Sequence, residues 1–93
     1  MITQRHRVQL MLLSRAHCHL CDEMEAQLRM MIGATPLTII DVDAPEHAAL
    51  EAAYGDAVPV LFANECLPQN ELCRWRLDMA RVRAVLAEPT DIR

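Results

Sequence analysis

Hydrophobic and polar positions along this 93-residue chain form short apolar runs that alternate with segments of helical spacing. Four runs predict β-strands, because each is only a few residues long and is bounded by polar or turn-forming residues. These strands are predicted at residues 8–13, 38–43, 58–63 and 71–75. Three segments predict α-helices, since their apolar side chains recur at helical intervals. These helices are predicted from residue 20 to about residue 32, over residues 44–54, and over residues 79–87.

The elements follow one another in the order β-α-β-α-β-β-α. A helix joins the first two strands, so these are predicted to be parallel with a right-handed crossover, whereas the last two form an antiparallel hairpin. The face of the first helix that packs on the sheet is predicted to hold Leu20, Met24, Leu28 and Met31. At this length we expect one domain over residues 1–93, with its core at about residues 8–87.

Composition and charge exclude several classes of function. The chain carries nine basic and thirteen acidic side chains, a formal net charge of -4, and its basic residues are scattered, which argues against nucleic acid binding. No apolar stretch approaches the ~18 residues of a membrane span, and the apolar run after the basic start is too short for a secretory signal. We therefore expect a cytoplasmic monomer that binds neither nucleic acid nor membranes. Because 53% of the residues are apolar, the core needs no structural cross-links, and the four cysteines are available for function.

Cys18 and Cys21 form a CxxC pair where the first predicted strand gives way to the first predicted helix. Unpaired backbone N–H groups and the positive end of the helix dipole stabilise a thiolate there. Such a position lowers the pKa of a cysteine from about 8.5 into the range of about 3.5 to 7.5, and the thiolate is the form that attacks disulfides and binds metals. The pattern predicts a redox centre, with Cys18 the more exposed thiol and Cys21 inside the first turn. His17 and His19 flank the first cysteine and are predicted either to favour its thiolate when protonated or to be plain exposed side chains.

Together with a Val58–Pro59 pair that opens the third strand, the CxxC position and the order of elements resemble the thioredoxin fold. Within this fold the chain is similar to the small glutaredoxin-like proteins of bacteria, from about residue 8 to residue 86. The resemblance rests on four segments, residues 14–23, 41–43, 54–61 and 75–78. It implies an α/β, thioredoxin-like fold, in which a four-stranded mixed sheet has helices on both faces. It also implies a thiol-disulfide oxidoreductase that needs no bound cofactor and acts on a disulfide-containing protein or on glutathione, the latter as a co-substrate.

The resemblance implies roles for individual residues. Cys18 would be the nucleophile, and Cys21 would resolve the mixed disulfide. Pro59 would follow a cis peptide bond beside the sulfurs, which leaves the backbone of Val58 free to pair with a bound thiol peptide. Arg15, three positions before the first cysteine, would contact a carboxylate of glutathione.

Two further positions are expected to take part in substrate binding. His17 directly precedes the nucleophile, and Asp78, which is predicted to cap the last helix, lies where glutaredoxins bind the glutamyl end of glutathione. The chain differs from glutaredoxins near both positions. It has His19–Leu20 between the cysteines in place of Pro-Tyr, and Arg76–Leu77 before the last helix in place of Gly-Gly.

The residues alone also allow other interpretations. Cys66 and Cys73, on either side of the last predicted turn, could form a second disulfide, act as a relay with Cys18, or be small apolar residues of the core. In a metal-binding module, the neighbouring histidines or the two later cysteines would join the CxxC pair around zinc or an iron–sulfur cluster bridged between subunits. In a non-catalytic adaptor, the CxxC pair would stay reduced while a surface binds a partner.

Overall fold

The computed structural model describes residues 8–87, and within them a four-stranded mixed sheet has α-helices on both faces. The strands are β1 (Leu10–Ser14), β2 (Leu37–Asp41), β3 (Val60–Ala63) and β4 (Glu71–Arg74). The helices are α1 (His19–Met31), α2 (Ala48–Tyr54) and α3 (Met79–Ala87). Short 3-10 turns cover Pro45–His47, Gly55–Ala57 and Pro68–Asn70. Within residues 8–87 no helix is both long enough and apolar enough to cross a bilayer.

The strands lie in the order β2-β1-β3-β4, so β1 and β3 are the inner strands of the sheet. β1 runs parallel to β2 and antiparallel to β3, and β3 pairs with β4 as an antiparallel hairpin. A crossover helix is needed to join parallel neighbours, whereas a short turn joins antiparallel ones. The predicted α/β fold, with its parallel first pair and antiparallel last pair, is confirmed.

The two inner strands bury side chains on both faces of the sheet. On one face, Leu12 and Leu61 pack against α1, through Met24, and against α3. On the other face, Phe62 packs against α2, where the ring of Tyr54 meets its ring edge-on with 5.2 Å between the centroids. Because successive side chains of a strand point to opposite faces, the continuous apolar runs of β1 and β3 supply both halves of the core.

The second predicted helix, over residues 44–54, is divided into two pieces. Pro45–His47 forms a 3-10 turn, and the α-helix begins only at Ala48. The chain leaves β2 through a side-chain turn in which the N–H of Asp43 donates to Oδ1 of Asp41 at 2.9 Å. The prediction of one continuous helix is wrong. The carboxylate turn and the proline that follows it hold the chain in other conformations, so that α-helical hydrogen bonding starts only at Ala48.

The buried face of α1 is rotated from the predicted one. Helical spacing predicts that Leu20 packs on the sheet, but Leu20 is 41% exposed and the neighbouring Cys21 is only 1% exposed. Met24 and Leu28 are buried as predicted, and Met31 is partly buried. The face that meets the sheet therefore begins with the second cysteine, which leaves the residue between the cysteines at the surface.

The third and fourth strands are shorter than predicted. β3 begins at Val60 rather than at residue 58, since Pro59 has no N–H to contribute to the ladder. β4 ends at Arg74, because Trp75 has a φ of 68°, in the left-handed region that a strand does not contain.

Candidate active site

Cys18 is the residue that caps the amino end of α1. Its carbonyl oxygen accepts the N–H of Asp22 at 3.1 Å, and its sulfur accepts the N–H of Cys21 at 3.2 Å. A thiol thus occupies the place where a serine or aspartate side chain commonly satisfies the first free N–H groups of a helix. The predicted position of the CxxC pair at the start of a helix is confirmed.

Cys18 and Cys21 are joined by a disulfide, with 5.2 Å between their Cα atoms. Cys18 is half-buried, whereas Cys21 is 1% exposed and packs in the first turn. A molecule that approaches from solvent therefore reaches Cys18 first.

His17 and His19 are exposed on either side of the first cysteine. His17 has a φ of 60°, a left-handed conformation that turns the chain from β1 into the helix and that histidine adopts more readily than most residues. Nε2 of His19 lies 4.0 Å from a carboxylate oxygen of Glu23, with both side chains largely exposed. Within residues 8–87 neither ring makes a hydrogen bond to Cys18, so the structure favours the interpretation of His19 as an exposed side chain.

Arg15 is held by two carboxylates of its own chain. Its Nη2 lies 3.3 Å from Asp43 and 3.3 Å from Glu51. Gly55 leaves room for this pair, since a Cβ at that position would clash with the Glu51 carboxylate. The resemblance implies that Arg15 contacts a substrate carboxylate. The sequence carries no local signal for its two partners within the chain, Asp43 and Glu51.

Pro59 is buried beside the start of β3, and the Val58–Pro59 peptide bond is cis. The carbonyl oxygen of Pro59 accepts the N–H of Trp75 at 2.8 Å, which ties the start of β3 to the end of β4. Within residues 8–87 the backbone of Val58 makes no hydrogen bond. This backbone is therefore open to a further strand-like segment.

A groove of about 430 Å³ lies between α1 and the connection from β4 to α3. We call it the Trp75 groove, and its lining residues are Leu20, Glu23, Met24, Gln27, Trp75, Arg76 and Leu77. Leu20 lies between the two cysteines, so the groove adjoins the disulfide. The sequence alone marks Trp75 only as a large apolar residue after a strand, with no local signal for the groove.

Asp78 caps α3 as predicted. Its Oδ1 accepts the N–H of Arg81 at 3.1 Å. α3 therefore begins just after Leu77, a lining residue of the Trp75 groove.

Cys66 and Cys73 are free thiols on opposite faces of the sheet. Cys66 packs beside the α2 half of the core, and Cys73 packs beside the α1 and α3 half. Burial raises the pKa of both thiols. Of the three interpretations, the structure favours core residues and rules out a disulfide between the two. Nowhere in residues 8–87 do three metal-ligating side chains meet at one point.

Comparisons with known proteins identify relatives over most of the chain. The profile of a family described as Glutaredoxin-like domain (DUF836) matches residues 9–87. An uncharacterised protein of Mycobacterium tuberculosis is 36% identical over 89 residues, which cover 90% of this chain and 88% of that protein. A solution NMR structure from Nitrosomonas europaea is 38% identical with a TM-score of 0.70, covering 94% of this chain and 100% of that one. An X-ray structure from X. campestris is 36% identical with a TM-score of 0.59, covering 83% and 93%.

Proposed function

Because this chain belongs to the family of glutaredoxin-like domains, we propose that it is a thiol-disulfide oxidoreductase. The observation that supports the proposal most directly is the place of Cys18, whose sulfur caps α1 and is bonded to Cys21. Its substrates are disulfides of proteins or mixed disulfides of glutathione. The cysteine pair supplies all the redox chemistry, so no bound cofactor is needed.

The proposed reaction starts from the reduced pair. The thiolate of Cys18 attacks one sulfur of the target disulfide and bonds to it, and the other target sulfur leaves as a thiolate that takes up a proton. Cys21 loses its proton to solvent and attacks Sγ of Cys18, which closes the Cys18–Cys21 disulfide and releases the first target sulfur. Two electrons thus pass from the pair to the target. An external thiol compound returns the pair to the dithiol by the reverse exchange.

The first turn of α1 supports both steps. The N–H of Cys21, 3.2 Å from the sulfur of Cys18, stabilises that sulfur as a thiolate whether it attacks or leaves. Since Cys21 is one helical turn away, the second step is intramolecular and does not wait for a collision.

The segment before β3 offers a target its backbone contacts. The N–H and C=O of Val58 are unpaired within residues 8–87, and an extended target segment can pair with them as an added strand. We propose that His17 and Pro59 line the same site. The proposed part of Arg15 is to hold the loop that carries Cys18 against α2, through Glu51.

A trapping experiment tests the proposal. In Cys21→Ser the mixed disulfide on Cys18 cannot be resolved, so the reduced variant should gain one 2-mercaptoethanol adduct from bis(2-hydroxyethyl) disulfide. Intact mass spectrometry measures the gain, in a background where Cys66 and Cys73 are both replaced by alanine. Cys18→Ser in the same background is the matched control and should stay unmodified. Equal adducts on both variants contradict the assigned roles, and absence of adducts on either contradicts the redox function.

A further inference from the structure

We propose that the Trp75 groove binds the polypeptide segment next to a target disulfide, so that the preferred substrates are protein disulfides with large apolar side chains beside the cysteine. This inference rests on the proposed function and names its substrate class. The alternative ligand of such a site is glutathione. Position, backbone conformation and charge each favour the polypeptide.

The groove begins at the residue that precedes the second redox cysteine. Leu20 is one of the two residues between Cys18 and Cys21, and Met24, one turn further along α1, lines the same groove. On the opposite wall, Trp75 is tied to Pro59 by the 2.8 Å hydrogen bond to its carbonyl oxygen. A target segment that extends from Cys18 along α1 would therefore meet the groove at Leu20.

Trp75 has an unusual conformation for a large side chain. Its φ of 68° lies in the left-handed region, which is costly for a bulky residue and is more often found where a site requires it than where folding does. Its side chain is 52% exposed, so core burial does not compensate for the conformation. The ring is nevertheless supported, because the guanidinium of Arg74 lies 5.9 Å from its centroid. Exposed and supported aromatic side chains are typical anchors for protein partners.

Arg74 itself is fixed in place. Two hydrogen bonds, at 2.6 and 2.8 Å, join its guanidinium to the carboxylate of Glu71. This pair restrains the Arg74 guanidinium, which lies beside the ring of Trp75. A restrained aromatic side chain loses less conformational freedom when a target side chain binds to it than a mobile one does.

The charges near the disulfide fit a polypeptide better than glutathione. Glutathione carries two carboxylates at neutral pH, but Nη2 of Arg15 already lies 3.3 Å from both Asp43 and Glu51. The groove itself presents one carboxylate (Glu23), one guanidinium (Arg76) and one neutral amide (Gln27), and among its apolar side chains Leu20 and Trp75 are exposed. This balance of charges gives no net attraction for a small anion, whereas the exposed Leu20 and Trp75 gain from an apolar contact.

The test measures thiol-disulfide exchange with matched substrates. Each substrate is a mixed disulfide with 2-mercaptoethanol, formed on acetyl-Ala-Leu-Cys-Leu-Ala-amide, on acetyl-Ala-Ala-Cys-Ala-Ala-amide, or on glutathione. The full-length chain is reduced with dithiothreitol and desalted, and the reaction is quenched with acid and followed by liquid chromatography. We expect the leucine peptide to react about tenfold faster than the alanine peptide, a ratio equivalent to about 1.4 kcal/mol. Glutathione is expected to react more slowly than the leucine peptide.

The groove is tested by Trp75→Gly. Glycine adopts the left-handed conformation without strain, so this variant removes the ring and keeps the backbone. The ratio between the two peptides should fall to about twofold or less, and measuring both peptides on one variant cancels any general change in reactivity. Met30→Ala, which removes an exposed apolar side chain of α1 outside the groove, is the matched control and should keep the tenfold ratio of the natural chain.

Several results would overturn the inference. Equal rates for the two peptides, an unchanged ratio in Trp75→Gly, or a faster reaction with glutathione would each do so while leaving the redox function intact. A dimer that Trp75→Gly dissociates in analytical ultracentrifugation would assign the groove to a second copy of the chain. Failure to react with bis(2-hydroxyethyl) disulfide would instead remove the proposed function and this inference with it.

Discussion

The backbone N–H of Cys21 points at the sulfur of Cys18 from 3.2 Å, so the buried cysteine of the pair supports the exposed one. The contact lies in the first turn of a helix, where the helix dipole adds a further positive potential. Both effects favour a negative charge on the outer sulfur once the disulfide is reduced.

We therefore expect Cys18 of the reduced chain to ionise at a lower pH than a free cysteine, below a pKa of about 8.5. The rate of alkylation by iodoacetamide, measured against pH on Cys21→Ser by mass spectrometry, reports this ionisation. Cys66 and Cys73 serve as internal controls, because burial raises the pKa of both and their alkylation should require more alkaline solution. A midpoint for Cys18 equal to that of free cysteine would contradict the role of the helix terminus.

The pair of Glu71 and Arg74 should make stability depend on pH in acid. The hydrogen bonds from Arg74 lower the pKa of Glu71 from its ordinary value of 4.5. A lowered pKa in the folded chain means that the stabilisation is complete above about pH 4.5 and is lost as the pH falls through the lowered value. We expect Glu71→Gln to lower the free energy of unfolding by about 0.5 kcal/mol at neutral pH, a small effect because the pair is partly exposed. Urea unfolding of both proteins should converge in strong acid, and a constant difference would contradict the assignment.

Gly55 and Glu51 should be energetically coupled. A Cβ at Gly55 would displace the Glu51 carboxylate and break its contact with Arg15, although the backbone there, with a φ of -54°, suits alanine. In a chain that carries Glu51→Ala, Gly55→Ala should therefore stabilise by about 0.5 kcal/mol through the entropy of the unfolded state. In the natural chain the same substitution should be neutral or destabilising. Chemical denaturation of the four proteins gives the coupling, and additive effects would show that the glycine does not serve this pair.

Leu20 and Met24 should differ sharply in their effect on stability. Met24 is 1% exposed within the core, so Met24→Ala should cost about 2 to 4 kcal/mol. Leu20 is exposed beside the disulfide, and Leu20→Ala should change the free energy of unfolding by less than about 0.5 kcal/mol. Urea denaturation distinguishes the two cases. A large loss of unfolding free energy in Leu20→Ala would indicate that Leu20 packs on the sheet, as the helical spacing predicts.

The features that the sequence predicts correctly depend on residues close together along the chain. The apolar runs of β1 and β3 mark inner strands, because a strand buried on two faces has no polar alternation. The CxxC pair falls at a helix terminus because the helical spacing begins there. Spacing could not predict that Cys21, rather than Leu20, lies on the buried face of α1. How the helix packs on the sheet decides a rotation of the helix by one residue.

The sequence does not predict the features that depend on residues far apart along the chain. Arg15 meets Glu51, 36 residues away, and nothing near either residue announces the contact. The left-handed conformation of Trp75 carries no local signal, because glycine or asparagine usually marks such a position. It accompanies the hydrogen bond to the Pro59 carbonyl, a contact between the ends of two strands.

The inner place of β1 and β3 in the sheet has a consequence for how the molecule opens. The loop that ends at Cys18 continues from β1, and Pro59 leads directly into β3. Amide hydrogens of such strands exchange with solvent only through global unfolding, whereas those of peripheral segments exchange through local opening. The two segments that we propose as the target site are thus attached to the strands that unfold last. Local opening of the outer strands β2 and β4 therefore leaves the distance between these two segments unchanged.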